Sequence, residues 1–168
     1  MATTIQTIEL PKKARALDTS SGWQTVGSEL ITNGGFDSDT AWSKSNSTIS
    51  GGKGVLDGTS VVALLWQDVL TNGETYRVTF DVEEHNGDIT ASQVINNAGD
   101  ELYAITGNGT GLTFDFTHTD DSGNFLFRAK TGSTFKVDNV SVLKLENFPN
   151  NNHGQIYSGR GLEFDGVS

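Results

Sequence analysis

The sequence predicts an all-β fold, a β-sandwich of two antiparallel sheets with an extended N-terminal arm. Its 168 residues include 20 glycines and only 35% hydrophobic residues, a composition typical of many turns and short strands. Apolar and polar residues alternate in short runs, and clusters of Gly, Asn, Asp and Ser separate the runs. A chain of this length holds one good core, so we expect one full domain.

The charge balance and the lack of cysteine exclude several classes of function. With 21 acidic and 11 basic residues the formal net charge is -10, which disfavours a nucleic-acid partner because phosphates would be repelled. The absence of cysteine excludes disulfide frameworks, thiolate zinc sites and cysteine nucleophiles. No stretch approaches the roughly 18 apolar residues of a membrane span, and the N-terminus lacks the apolar run of a signal peptide.

Residues 1–27 show no convincing period and are predicted to form the arm. Alternating apolar residues in such an arm can add a strand to a partner's sheet, and a basic tip can contact an acidic neighbour. A mobile tail is the alternative. The predicted arm contacts are Ile5, Ile8, Leu10, Lys12, Lys13 and Arg15.

Seven or eight strands are predicted between Glu29 and Leu145. In the third of them, residues 76, 78, 80 and 82 are apolar and the residues between them are polar, which indicates one buried and one wet face. The same alternation recurs in the runs around Phe114 and Phe125. The candidate strands are 48–56, 61–70, 75–83, 89–96, 101–105, 111–118, 124–129 and 134–145.

Three segments follow from this pattern: the arm at 1–27, the sandwich at 28–146, and a linker with the start of a second domain at 147–168. The last segment is rich in asparagine and then begins a new apolar alternation at Leu162 and Phe164.

Residues Glu29 to Leu145 resemble the carbohydrate-binding modules of the family 4/9/16 type. The motifs that carry the resemblance are ELITNGGFDSDTAW, GKGVLDG, LLWQDVLTNGETYRVTFDV and FKVDNVSVLKL. The resemblance implies a jelly-roll topology for the sandwich. ALDTSSG near Leu17 and the terminal NNNHGQIYSGRGLEFDGVS look like the opening of a laminin-G/concanavalin-like domain, which implies that a second, lectin-like domain begins at the end of the chain.

Lectin-like sandwiches behind a short arm resemble bacteriophage virion proteins. The resemblance implies a non-catalytic structural protein on the exposed surface of the virion, as a tail-fibre or tail-tip component that mediates assembly or attachment to a cell-surface glycan. Other virion proteins would bind the arm, and a homo-oligomer, with a trimer favoured, is expected. A capsid decoration or head-fibre protein and the carbohydrate-binding module of a secreted bacterial enzyme remain alternatives.

The resemblance also implies one structural calcium ion. In the resembled family an acidic residue after the first Gly-Phe and the Asp of the closing motif hold it, and GGFD and VDNV place Asp37 and Asp138 at those positions. Asp37 departs from the usual Glu. The apolar spacing of three between Val137 and Val140 predicts a β-bulge there, so Asp138 could instead satisfy backbone donors at the bulge.

Two tryptophans have different predicted roles. Trp42 is predicted to close one end of the core. Leu65, Gln67 and Val69 match the inward Leu-x-Gln-x-Val pattern of the resembled family, so the resemblance implies that Trp66 lies on the opposite, wet face. There it would stack on a sugar or anchor a subunit interface, the interface being favoured. Tyr103, His85, Gln93 and Arg128 are predicted on the same surface.

No enzyme is predicted, because no catalytic motif is present. Neither HExxH, nor a Gly-x-Ser-x-Gly elbow, nor a P-loop occurs. The adjacent carboxylates Glu83/Glu84 and Asp120/Asp121 would point to opposite faces of a strand, so neither pair forms one site.

Overall fold

The computed structural model describes residues 22–88 and 91–147, which form eleven strands and no helix that could cross a membrane. Thr25–Glu146 is one compact unit; the other unit, 1–24 with 147–168, is described only at residues 22–24 and 147. The strands are β1 Trp23–Val26, β2 Ser43–Ser45, β3 Ser47–Ser50, β4 Lys53–Asp57, β5 Ala63–Asp68, β6 Thr75–Asn86, β7 Ser92–Ile95, β8 Glu101–Ala104, β9 Gly109–Thr117, β10 Asn124–Ala129 and β11 Thr134–Asn147.

Two sheets carry these strands and confirm the predicted jelly-roll β-sandwich. One sheet has six strands in the order β3-β4-β11-β6-β9, with β1 beside β11, and the other has five in the order β2-β5-β10-β7-β8. Every pairing with a described register is antiparallel. From β4 to β11, consecutive strands lie in different sheets, except for β7 and β8, which form a hairpin within the five-stranded sheet. This crossing between two antiparallel sheets is the jelly-roll arrangement.

Several predicted features lie outside the described residues. They are the six arm contacts Ile5, Ile8, Leu10, Lys12, Lys13 and Arg15, and the start of a second domain after residue 147. Within the predicted arm, the structure places β1 at Trp23–Val26.

The core lies between the inner faces and is joined by aromatic contacts. Phe80 of β6 meets Phe127 of β10 edge to face, with ring centroids 5.3 Å apart. Trp42 lies 6.4 Å from Phe127 and stacks on Phe36 at 5.1 Å. Trp42 is 5% exposed and its indole N–H donates to the carbonyl of Asn33, so its predicted core role is confirmed.

One predicted strand, 48–56, is in fact the hairpin of β3 and β4. Gly51 and Gly52 form its two-residue loop, with φ of 62° and 71°. Positive φ at both loop residues is the requirement of a type I′ turn, which glycine meets without strain. β2 was not predicted, because its Ser-Lys-Ser sequence has no apolar alternation and forms a strand only by pairing with β5.

The bulge predicted in β11 is confirmed. The register with β6 shifts between Asp138 and Ser141, and Asn139 between them has φ of 50°. The shift keeps Val140 and Val142 buried on the core side. The main-chain N–H of Val140 also donates to the carbonyl of Gly34, which ties the bulge to the loop before β2.

The close approach of the two sheets at Gly54 generates a stability prediction. A Cβ there would lie 2.6 Å from Leu65 Cδ2 and 2.9 Å from both Phe36 and Val137. We expect Gly54→Ala to lower the free energy of unfolding by about 1–3 kcal/mol through overpacking, measured by urea denaturation. Gly107→Ala is the control, because nothing lies within 4 Å of its Cβ position. Equal stability of the two variants would contradict the packing described here.

Candidate functional site

The outer face of the five-stranded sheet carries Trp66. Ala63, Leu65 and Gln67 are buried on the inner face, and Trp66 between them is half-buried on the outer face. This burial pattern confirms the face that the family resemblance predicted for Trp66. The buried side-chain amide of Gln67 is hydrogen-bonded to the main chain of Thr32. It accepts from the Thr32 N–H at 3.1 Å and donates to the Thr32 carbonyl at 2.7 Å.

Apolar neighbours surround Trp66 on this outer face. Leu126 of β10 lies directly opposite Trp66, and Ile95 of β7 lies opposite Leu126. Leu126 and Ile95 are 7% and 4% exposed, yet neither belongs to the core cluster between the sheets. Together with Leu64 they form a small apolar floor around one indole ring. We call this surface, with the polar residues Gln93, Glu101 and Arg128 described next, the Trp66 face.

A hydrogen-bonded polar network lies beside this floor. Arg128 and Gln93 are directly opposite each other, and the Arg128 guanidinium donates from Nε and Nη2 to Gln93 Oε1. Gln93 Nε2 in turn donates to the Glu101 carboxylate of β8. Gln93 is 4% exposed, so its two partners fix both ends of its amide. The network therefore holds one guanidinium and one carboxylate in place before any ligand arrives.

A second cluster of polar side chains lies at the end of the sheet where β5 and β7 end and β10 begins. Asn124, opposite Asp68, donates from its side-chain amide to Asn97 Oδ1 at 3.2 Å. The loop after β7 is closed by Asn96, whose side chain accepts from the main-chain N–H of Asp100 at 2.9 Å and donates to its carboxylate at 3.1 Å. Amide and carboxylate groups therefore border the apolar floor on this side as well.

Tyr103 does not lie on the Trp66 face, in contrast to the prediction. It is paired with Val94, whose side chain belongs to the core, and its ring stacks on Phe114 at 5.0 Å and meets Phe80 edge-on at 5.7 Å. The register of β7 and β8 shifts beside this pair. Sequence alternation cannot locate such a shift, which turns Tyr103 inward and leaves Glu101 on the outer face.

His85 also lies away from the Trp66 face, so this part of the prediction is wrong. It is near the end of β6, in the six-stranded sheet, and its Nε2 lies 3.1 Å from the hydroxyl of buried Ser92. Glu84 before it has φ of 48°, a local interruption of the strand conformation that sequence alternation does not reveal. The structure thus brings together three of the five predicted ligand residues: Trp66, Gln93 and Arg128.

The contacts of Asp138 do not fit the expected calcium site. Its Oδ2 lies 3.3 Å from the Lys53 ammonium, and its Oδ1 accepts the main-chain N–H of Asn139 at 2.7 Å. Lys53 also donates to Glu83, and this hydrogen bond, with a further contribution from Asp138, raises the pKa of Lys53. Asp37 is exposed, and within the described ranges no three His, Asp or Glu side chains gather as metal ligands. An ammonium thus takes the place next to Asp138 that a cation would need.

The side chain of His118 is buried and hydrogen-bonded within its own turn. It is 1% exposed, and its Nε2 donates to the main-chain carbonyl of Ser122 at 2.6 Å and lies 3.6 Å from the Asp120 carboxylate. A general base must reach the proton that it removes, whereas this imidazole faces a carbonyl within its own turn. The Ser122 hydroxyl donates no hydrogen bond to the imidazole, so the three residues do not form an activated nucleophile.

A groove of about 420 Å³ lies on the other sheet, beside β3 and β4. Four of its eight lining residues carry hydroxyl groups, and the others are Asn46, Asp57, Val55 and Val61. No aromatic ring and no cation line it. The groove therefore lacks a ring on which a sugar could stack.

No family model and no curated protein matches the sequence. Among solved structures, the chain is similar to the enzymatically active domain of tailspike protein 4 from bacteriophage CBA120, with 14% identity and a TM-score of 0.42 over 69% of this chain and 21% of that one. It is also similar to a CBM22 xylan-binding domain from Paenibacillus barcinonensis, with 12% identity and a TM-score of 0.46 over 72% of this chain and 97% of that one.

A family 29 carbohydrate-binding module has 12% identity and a TM-score of 0.45 over 70% of this chain and 83% of its own length. Likenesses at this level carry no functional argument. The fold assignment rests on the strand order, and the function must be argued from the site.

The Lys53–Asp138 contact generates a prediction about calcium. We expect the melting temperature to stay unchanged when EDTA or millimolar Ca²⁺ is added, because the Lys53 ammonium already lies beside the Asp138 carboxylate. An ion that bound only the folded state would raise the melting temperature. Differential scanning calorimetry measures this, with Mg²⁺ as the control for ionic strength. A rise in melting temperature specific to Ca²⁺, lost in Asp138→Asn, would show that the ion displaces the lysine.

Proposed function

We propose that the chain is a non-catalytic glycan-binding module and that the Trp66 face binds the glycan. The observation that carries this proposal is the combination of one half-buried indole ring with a fixed network of side chains that can donate and accept hydrogen bonds. A pyranose presents an apolar C–H face bordered by hydroxyl groups. The indole ring can stack on the C–H face of the sugar, and the polar side chains around it can hydrogen-bond to the hydroxyl groups.

The exposed area on the Trp66 face is small, which favours a glycan over a protein partner. Protein interfaces centre on large apolar anchors that become buried on binding. Here Leu126 and Ile95 are buried already. Within the described part of the chain, the large hydrophobic residues that are exposed are Trp23, Val61 and Val62, none of which belongs to this face.

The network gives the site both donors and acceptors. The Arg128 guanidinium has five N–H donors, of which three are used in the described contacts to Gln93 and to the Gly99 carbonyl. The carboxylates of Glu101 and Asp68 supply acceptors for sugar hydroxyls. Because Gln93 is already fixed, binding orders few side chains, and this reduces its entropic cost.

We further propose that this module serves a bacteriophage virion, as a tail-fibre or tail-tip component that attaches to a host-surface glycan. The support is the sequence resemblance, together with the predicted arm at residues 1–27. A capsid decoration protein and a module of a secreted enzyme would use the same face. Binding of the chain to purified tails and capsids, with and without residues 1–21, separates these settings. Binding to tails that requires residues 1–21 supports the tail component, binding to capsids supports a decoration protein, and binding to neither supports a module of a secreted enzyme.

Trp66→Ala tests the glycan proposal. We expect affinity for retained glycans to fall about tenfold or more, because the stacking surface is lost, while the free energy of unfolding falls by only about 1 kcal/mol. An array of neutral and acidic bacterial polysaccharides identifies the retained glycan, and titration calorimetry measures its affinity.

Leu143→Ala is the matched control for this variant. Leu143 is also a half-buried apolar residue, but it lies opposite Arg77 on the other sheet. Binding should be unchanged in this control. If the wild-type chain retains no glycan, or if both variants bind as it does, the proposal is wrong; if Trp66→Ala unfolds the chain, Arg128→Ala replaces it.

A further inference from the structure

The edge strand β9 is the longest edge strand in the described part of the chain. Five of the described strands pair with one neighbour only, and four of them, β1, β2, β3 and β8, have only three or four residues. β9 has nine, from Gly109 to Thr117, and within the described residues it pairs only with β6. Short edge strands limit pairing with other chains, so the long edge at β9 is the one that remains able to pair.

The outward main-chain groups of β9 can be assigned from its pairing with β6. The N–H of His118 donates to the Glu74 carbonyl at 2.9 Å, and the two positions are opposite each other in the continuing register. Hydrogen-bonded and non-hydrogen-bonded pairs alternate in an antiparallel ladder. The N–H and C=O groups of residues 112, 114 and 116 therefore point towards β6, and those of Thr113, Asp115 and Thr117 point away from the sheet.

Two half-buried phenylalanine rings and one leucine side chain, here called the ring row, lie along the same edge. Leu112, Phe114 and Phe116 face the core but remain partly exposed, unlike the fully buried Phe80 beside them. Phe114 stacks on Tyr103 at 5.0 Å and lies 5.7 Å from Phe116. The sandwich is thus incompletely closed between β8 and β9.

We propose that β9 pairs antiparallel with β9 of a second copy of this chain, which forms a dimer with a continuous sheet through both copies. An added strand satisfies the outward main-chain groups and also covers the ring row, whereas a glycan would cover only the rings. The strand is complementary to itself, because a two-fold axis places the apolar face of β9 beside the apolar face of its copy, and its Thr and Asp side chains beside Thr and Asp.

The one carboxylate on β9, that of Asp115, is neutralised within its own sheet. Asp115 accepts two hydrogen bonds of 2.8 Å from the guanidinium of Arg77 in its own sheet, so two copies would not bring unpaired carboxylates together. The remaining outward side chains of the edge, Thr113 and Thr117, are neutral and hydrogen-bond to Thr79 and Thr75 of β6. Threonine pairs of this kind stabilise neighbouring strands in a sheet.

Sedimentation velocity on the full chain, with Thr113→Lys as the principal variant, tests the dimer. We expect the wild-type chain to sediment at about twice its 18.0 kDa mass at high micromolar concentration, and Thr113→Lys to weaken self-association at least tenfold. A lysine on an edge strand is a substitution that disfavours pairing with another strand, because its long charged side chain would have to be desolvated beside the added strand. Thr113→Pro should act in the same direction by removing an outward N–H, and either variant decides if the other does not fold.

Thr79→Lys is the matched control. Thr79 and Thr113 are opposite each other and their hydroxyls lie 3.0 Å apart on one face, but only Thr113 lies on the edge strand. This control should self-associate as the wild-type chain does. A wild-type chain that stays monomeric at every concentration, or an oligomer that Thr113→Lys leaves intact, would overturn the proposal. The glycan assay is independent, because β9 belongs to the other sheet.

Discussion

The two sheets are held together by the contact between Phe80 and Phe127, and the other features of the molecule depend on it. Phe80 contributes from the six-stranded sheet and Phe127 from the five-stranded sheet, and their rings meet edge to face at 5.3 Å. This geometry places the positive edge of one ring against the negative face of the other. Trp42 extends the contact on one side and Tyr103 on the other, so one aromatic series runs through the core. Small residues such as Gly54 are required where the sheets approach most closely.

The packing of the core determines which side chains lie on the outer faces of the sheets. Side chains alternate along a strand, so burying Leu65 and Phe127 fixes Trp66 and Arg128 on the outside of the same sheet. A slip of one residue would turn the indole inward and the core residue outward, at a large cost in buried apolar area. The core therefore specifies the Trp66 face, and the Arg128–Gln93 hydrogen bonds set its details. The two proposed interactions, with a glycan and with a second copy, use different sheets.

Alternation in the sequence was sufficient to predict the fold class, the buried faces of β6 and β10, and the bulge after Asp138, whereas the buried face of β5 came from the family resemblance. It failed where the backbone leaves the regular strand conformation. The register shift next to Val94 turned Tyr103 into the core, and the positive φ of Glu84 lies just before His85, which hydrogen-bonds to Ser92. These deviations depend on contacts with neighbouring strands.

The polar partners at the site were harder to predict than the ring. Glu101 binds Gln93 across two strands, and nothing in its local sequence distinguishes it from the other exposed acidic residues. The same holds for Lys53, whose contact with Asp138 comes from 85 positions away in the chain. Long-range pairs of this kind follow from strand order, which a single sequence specifies only weakly.

The most direct measurement is a nitrogen-15 correlation spectrum of the three tryptophan indole N–H groups during titration with a glycan that the chain retains. Trp66 is half-buried on the outer face, Trp42 is fully packed in the core, and Trp23 belongs to β1. We predict that the Trp66 resonance shifts with saturation while that of Trp42 stays in place. If the Trp66 resonance does not move while the glycan binds, the ligand surface lies elsewhere and the central claim is wrong.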